Sequence, residues 1–296
     1  MGKLILIDGN AILHRAYHAL PPLTTKRGEP IGAVYGLISM LLRVIQDLSP
    51  TQIAICFDEK EPTFRHKEFA PYQAQRPVMA EELSGQFEKA RRVIEAFGIP
   101  IYSKSGFEAD DVIGTLAKKA KEDVAIVTGD RDLLQLVNGR VKVYLPVVGL
   151  SSAKLMGVEE VKEKLGVTPK QVPDYKALVG DSSDNYPGVA GIGPKTAISL
   201  IEKYKDLDGI YAHLKEISPS VRDKLTKGKK AAKLSLRLAT IVKDVPLNLD
   251  EEASKKWDVD SQKVLELFSE YGFKTLTERV KKVGKAQDAE KQMPLL

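Results

Sequence analysis

"KLILID" at residues 3–8 runs through four consecutive apolar side chains and stops on an acid. An apolar run without alternation is the pattern of a strand buried on both faces, as in parallel sheets. Similar runs recur at 52–58 (QIAICFD), 99–103 (IPIYS), 123–130 (DVAIVTGD) and 141–145 (VKVYL). Helical periodicity separates them over 33–47, 83–97 and 108–121. This alternation predicts an α/β fold with a mainly parallel central sheet flanked by helices. Ligands bind such sheets beyond the carboxyl ends of the strands. Asp8, Asp58 and Asp130 each close a strand there. One such Asp is ordinarily a turn former, but three together point to a site.

Composition sets the frame for that site. The chain has 296 residues, 43% hydrophobic and 29% charged, enough for a large core of one domain plus an elaboration. The N-terminal apolar run is too short for a signal or membrane segment. The single cysteine, Cys56, lies within QIAICFD, so the chain has no internal disulfide. Core filling in a reducing, cytoplasmic setting is its expected role.

Further acids cluster in three segments. GFEADDVIGTLAKKA places Glu108, Asp110 and Asp111 at a helix start, TGDRDLLQL supplies Asp130 and Asp132, and GDSSDN supplies Asp181 and Asp184. Capping and the helix dipole account for one or two acids in a first turn. Three within four positions repel one another unless cations hold them, and carboxylate oxygens suit Mg²⁺ or Mn²⁺. No Cys/His pattern competes for a softer metal; His14 and His18 lack a third ligand. Setting these nine acids aside leaves 31 acidic residues against 45 basic ones, a basic body around an acidic pit. That division suits a polyanion whose scissile group is delivered to metal ions. Two ions sharing such a cluster supply hydrolysis without a Ser or Cys nucleophile.

Two residues after GDSSDN comes GVAGIGPKTAISLIEKY, which reads as helix, hairpin, helix. Gly191 and Gly193 permit close backbone approach, Pro194 suits a first helical position, and Lys195 and Thr196 stand where a helix N-terminus receives phosphate. Such contacts position a duplex without reading bases. Residues 60–92 mix basic and aromatic side chains and read as an excursion from the sheet that encloses a single strand. Within it, Phe64 and Tyr72 are candidates for stacking and Arg65 and Arg76 for phosphates.

In chain order, LIDGN, HRAYHAL, FDEKEPTFRHKEF, FEADDVIGTLA, TGDRDLLQL, GDSSDNYPGV and GIGPKTA resemble the 5′ nuclease (flap endonuclease) superfamily. The resemblance is to its branch of bacterial DNA polymerase I N-terminal nuclease domains and their stand-alone relatives. It covers most of residues 3–245. It implies a PIN-like nuclease core with a helical arch at about 60–92, together spanning 1–172. A helical DNA-binding subdomain with a helix-hairpin-helix-type motif would follow over 173–272, and a polar tail or linker over 273–296. It further implies two Mg²⁺ or Mn²⁺ ions, one held mainly by Asp8, Asp58, Glu108, Asp110 and Asp111, the other by Asp130, Asp132, Asp181 and Asp184. A K⁺ ion at the hairpin carbonyls is also implied.

The arch pattern of the family is Tyr-Lys-x-x-Arg, and this chain reads YQAQR. Tyr72 and Arg76 match, as does Arg15 in the first helix, and these three are the expected catalytic side chains beside the metals. Gln73 replaces a lysine, exchanging a full positive charge for a neutral donor and weakening electrostatic support at the scissile phosphate. The implied activity is cutting of 5′ flaps near the junction with duplex, with 5′-3′ exonuclease action, in primer removal and repair. The implied setting is a monomer acting on DNA at the bacterial nucleoid, away from membranes, with a polymerase module following or absent. A catalytically weak junction-binding module is the competing reading, motivated by Gln73. A nucleotide-binding α/β protein lacks its phosphate loop after the first strand.

Overall fold

In the computed structural model, which describes residues 2–148 and 152–292, six strands form one sheet: β1 Lys3–Asp8, β2 Gln52–Cys56, β3 Ile101–Tyr102, β4 Asp123–Val127, β5 Val141–Val148 and β6 Ser152–Met156. Their order is β3-β2-β1-β4-β5-β6, with β1 to β5 parallel and β6 antiparallel on β5. The first five are the strands read from sequence. The sixth escapes that reading because SAKLM is an edge strand without a β-branched run and with Lys154 in its middle.

Alternation across the pleat sends side chains of β1 to two separate cores. Leu4 and Leu6 face one, Ile5 and Ile7 the other. The second core is closed by helices α1 (Gly9–Ala19), α2 (Gly32–Leu48) and, beyond the short α3 (Phe64–Glu68), α4 (Glu81–Ala96). Helix α5 (Ala109–Lys119) covers the first. The excursion between β2 and β3 is therefore free of the core only up to about residue 80. Leu83, Ala90, Val93 and Ile94 bury α4 against the sheet layer, so the arch proposed over 60–92 is shorter than that.

Helices α6 (Val158–Leu165), α7 (Val172–Val179), α8 (Pro194–Tyr204), α9 (Leu207–Ala212) and α10 (Pro219–Ala239) build the helical part. Their buried side chains, among them Val161, Leu178, Leu200 and Leu225, continue the first core. The chain then returns. Helices α11 (Glu251–Lys255), α12 (Gln262–Tyr271) and α13 (Lys274–Gln292) come back to the nuclease side, with α12 against α4 and α13 against α2. Val264, Phe268, Leu276, Val280 and Val283 are buried in the second core. The packing of these last three helices bears on the end of the chain alone. Residues 250–272 belong with the sheet, and the supposed tail is helical over 274–292, with an apolar stripe at 276, 280 and 283. Residues 293–296 lie outside the described ones.

The strand order reverses at β1: the chain steps outward through β2 and β3, then restarts on the opposite side with β4 and β5. Such a switch point opens a crevice at the carboxyl ends, where Asp8, Asp58 and Asp130 stand. Because Leu276 is fully buried, Leu276→Ala is expected to cost about 2–5 kcal/mol in urea unfolding. A change below about 0.5 kcal/mol would mean that this segment behaves as a solvated tail.

Candidate metal centre

The crevice is a cleft of about 730 Å³ lined by Asp8, Asp58, Glu108, Asp110, Asp130 and Asp184. A second cavity of about 470 Å³ shares Asp130 and Asp184 and adds Asp132 and Asp181. Eight of the nine acids singled out in the sequence therefore meet at two adjoining hollows. Asp111 is the exception.

Backbone amides and hydroxyls hold the first group together. Asp8 caps α1, accepting from Ala11 N at 2.9 Å through Oδ1, and its Oδ2 accepts from Thr128 Oγ1 at 2.8 Å. Asp58 Oδ1 accepts from Ala109 N at 2.7 Å, at the start of α5. Asp130 N donates to Thr128 Oγ1, and Asp130 Oδ1 accepts from Asp132 N at 2.8 Å. Helix N-termini supply partial positive charge here, but less than the carboxylates carry. Burial, reinforced by neighbouring carboxylates, pushes Asp8 up to about 7 and Asp110 well above the usual range. It also raises Asp58 and lifts Glu108 to about 7, against the pull of Arg65 on the latter. The raised values show that the protein supplies these acids too little positive charge of its own to keep all of them ionised, even with Arg65 on Glu108, and a bound cation would supply it.

The other group has its own cation. Oxygens of Asp132, Asp181 and Asp184 lie within 4.8 Å of one another. Lys176, from α7, donates to both Asp132 Oδ1 and Asp181 Oδ2. Burial works against ionised Asp181, but Lys176 prevails and holds its carboxyl below the ordinary value. Burial and Asp130 raise Asp132 to about 7 despite that lysine. Lys176 was not singled out in the sequence, where it is one of many lysines and sits five residues before Asp181.

Three arch residues take positions different from those expected. Arg65 is 2% exposed and makes a fork to Asp111, Nη1 to Oδ2 at 2.7 Å and Nη2 to Oδ1 at 2.9 Å. It also donates to the carbonyls of Leu238 and Thr240. Arg65 is thus a structural cation rather than a surface phosphate contact. Asp111 is fully buried and also accepts from Glu108 N and Val242 N, which leaves its carboxylate occupied and turned from the cleft. Tyr72 is 3% exposed, so its ring offers no stacking face; its hydroxyl reaches Glu108 Oε2 at 3.3 Å and Asp184 Oδ2 at 3.2 Å. Phe64 is half-buried, with the Arg65 guanidinium 4.6 Å from its ring centre and Phe107 beside it.

Arg76 does reach the cleft. Its side chain is half-exposed and pairs with Asp184 Oδ1 at 2.5 Å. Gln73 lines the same wall in a left-handed conformation, φ 55°, its amide donating to Asp184 O at 3.0 Å. Lys60 also lines the cleft, and so do the exposed Val78 and Met79. Arg15, on α1, runs beside Gly129, one residue before Asp130.

At the hairpin, Gly191 has φ 78° and presents its carbonyl to Lys224 Nζ at 3.2 Å. Pro194 opens α8 after Gly193, Lys195 is exposed and Thr196 half-buried. Ile192 plugs the turn into the core.

A sheet with a topological switch point, an acid-rich cleft at that point and a glycine hairpin on an adjoining helical unit define an α/β domain built around an acidic centre. Residues 3–166 match the family described as 5′-3′ exonuclease, N-terminal resolvase-like domain, and residues 167–262 match 5′-3′ exonuclease, C-terminal SAM fold. The chain belongs to the 5′-3′ exonuclease family. It is 44% identical to DNA polymerase I of Caldicellulosiruptor bescii, with 94% of this chain and 33% of the relative covered. For DNA polymerase I of Bacillus subtilis the values are 38%, 94% and 32%. The chain thus spans about a third of the length of these curated relatives. Two solved structures share the fold. The bacteriophage T5 flap endonuclease in complex with DNA and metal ions aligns with TM-score 0.67 at 18% identity, over 95% of this chain and 97% of that one. Human GEN1 with Holliday junction DNA aligns with TM-score 0.61 at 16% identity, covering 95% and 72%.

Acids held protonated near neutrality must release those protons before they can ligate a cation. Mn²⁺ affinity, followed by titration calorimetry, is expected to rise through about pH 7 and to level off only above about pH 8. The sign follows from pKa values displaced upward, which leave the carboxyls neutral at the acid end. An affinity flat across that range would contradict the crowding of charge in the cleft.

Proposed function

We propose that this chain is a structure-specific 5′ nuclease that hydrolyses DNA phosphodiesters at 5′ flaps near the junction of single strand and duplex, with 5′-3′ exonuclease action. The observation that carries this reading is the convergence of eight carboxylates on one cleft beside a helix-hairpin unit. The eight converging acids are hard oxygen donors and outnumber the histidines His14, His18 and His66 of the same cleft, so the site fits Mg²⁺ or Mn²⁺. Asp8, Asp58, Glu108 and Asp110 would hold one ion, and Asp130, Asp132, Asp181 and Asp184 the other. When bound, the pair supplies a nucleophile at neutral pH and charge stabilisation at phosphorus.

The chain's own side chains do the rest. Lys195, Thr196 and the backbone of Gly191 and Gly193 grip the duplex backbone without reading sequence. Arg76 and Lys60 bring positive charge to the cleft wall, where Gln73 brings none. Arg15 adds a cation on α1 beside the Asp130 turn. Tyr72 does not touch DNA; its single hydroxyl proton, shared between Glu108 and Asp184, positions both acids. Val78 and Met79 give the flap an apolar edge in place of the buried aromatics. A monovalent cation such as K⁺ at the hairpin carbonyls would share Gly191 with Lys224.

Attack of water at phosphorus with the upstream 3′ oxygen leaving breaks the P–O3′ bond, giving a 3′ hydroxyl and a 5′ phosphate on the product, as primer removal and repair require. DNA carrying a 5′ flap or frayed 5′ end is the proposed partner, in the bacterial cytoplasm, with the chain as a monomer beside or within a polymerase. No helix among the described residues is long and apolar enough to cross a membrane.

A 5′-labelled flap substrate with Mg²⁺, Mn²⁺ or EDTA tests the reading. Flap release near the junction is expected with either ion and absent with EDTA. Asp110→Ala is expected to lower the cleavage rate by at least about 10³-fold while leaving flap binding intact. Tight binding without cleavage in either ion would instead make the chain a junction-recognition module.

A further inference from the structure

Three carboxylates whose oxygens lie within 4.8 Å of one another repel, and a nearby cation lowers the cost of ionising them together. In this structure two cations of the chain meet them: Arg76 pairs with Asp184 Oδ1, and Lys176 takes the other two. Lys176 projects from α7, its side chain 15% exposed, and its ammonium contacts both Asp132 and Asp181. The helix ends at Val179 and the chain turns at once into the 181–186 bridge, so lysine and acids are held on one short rigid path. Ser183 N and Asp184 N both donate to Asp181 Oδ1, fixing the turn independently of the lysine.

We propose that Lys176 is a built-in counter-ion of the second metal site, and that a divalent ion enters there by displacing it. This rests on the metal-dependent reading above. Asp132 Oδ1 and Asp181 Oδ2 can each accept an ammonium proton or bind an ion through the same lone pairs, so the two occupants compete. The first site, around Asp8, Asp58 and Asp110, has no lysine contact of this kind among the described residues. Binding at the two sites is therefore unequal by construction. The first ion meets a protein cation at Glu108, which Arg65 pairs, whereas the second must displace the Lys176 ammonium from two carboxylates beside the Arg76 pair on Asp184. Lys176 keeps Asp132 and Asp181 in place without metal and sets the threshold at which the second ion loads.

Mn²⁺ is the probe, titrated into the full chain and followed by the electron paramagnetic resonance signal of the free ion. Wild type is expected to show one tight and one weak site. In Lys176→Met the weak site should tighten by at least about tenfold, with the tight site unchanged and Lys176→Arg staying near wild type. A second site unchanged or weakened in Lys176→Met overturns the proposal, while failure of any Mn²⁺ to bind wild type overturns the metal reading itself. Loss of fold in the methionine variant is covered by a measurement on wild type. Acetylation of lysines by acetic anhydride, read residue by residue by mass spectrometry, is expected to label Lys176 severalfold faster with saturating Mn²⁺ than with EDTA. Equal protection in both would show that the ion does not displace the lysine.

Discussion

Carboxylates repel one another, and burying them raises the cost of keeping them charged. Most of what is unusual in this chain answers that constraint. The parallel sheet delivers Asp8, Asp58 and Asp130 to one crevice because the strand order reverses at β1. Helix N-termini then soften the first group through Ala11 N and Ala109 N. Arg65 neutralises Asp111, Arg76 pairs with Asp184, and Lys176 bridges Asp132 and Asp181. Each cation comes from an element other than that of its acid: Arg65 and Arg76 from the excursion after β2, Lys176 from α7. The acid cluster thereby ties the arch and the helical unit to the sheet.

Arg65 shows how strongly the two parts are linked. Its guanidinium joins Asp111 on α5 to the carbonyls of Leu238 and Thr240 at the end of α10. Helix α10 backs the glycine hairpin at its other end, where Lys224 meets Gly191 and Gly228 lies against Val189. The hairpin that would hold duplex and the cleft that would cut it are thus connected through one continuous helix and one buried ion pair.

The fold was largely legible because its signals are local. Apolar runs such as KLILID specify buried parallel strands, and the acids that close three of them, Asp8, Asp58 and Asp130, mark where the carboxyl ends lie. The acids of the site were legible for the same reason, as clusters too dense for capping alone. Partner choice was not. Arg65 reads as one more basic residue until the fold brings Asp111, 46 positions away, into its fork. Tyr72 reads as an exposed aromatic until Glu108 and Asp184 converge on its hydroxyl. Lys176 carries no pattern of its own, since its meaning lies in a turn five residues later and in Asp132 from another element. The C-terminal helix was hidden by composition: Leu276, Val280 and Val283 form a buried stripe within a mostly charged segment.

The central claim is that the acid cleft is a two-ion centre. Anomalous diffraction from a crystal soaked in Mn²⁺ tests it most directly. The account requires two peaks about 3.5–4 Å apart, one bounded by Asp8, Asp58 and Asp110, the other among Asp132, Asp181 and Asp184 with the Lys176 ammonium moved aside. No peak in the cleft, or a single peak with Lys176 still bridging Asp132 and Asp181, would contradict it.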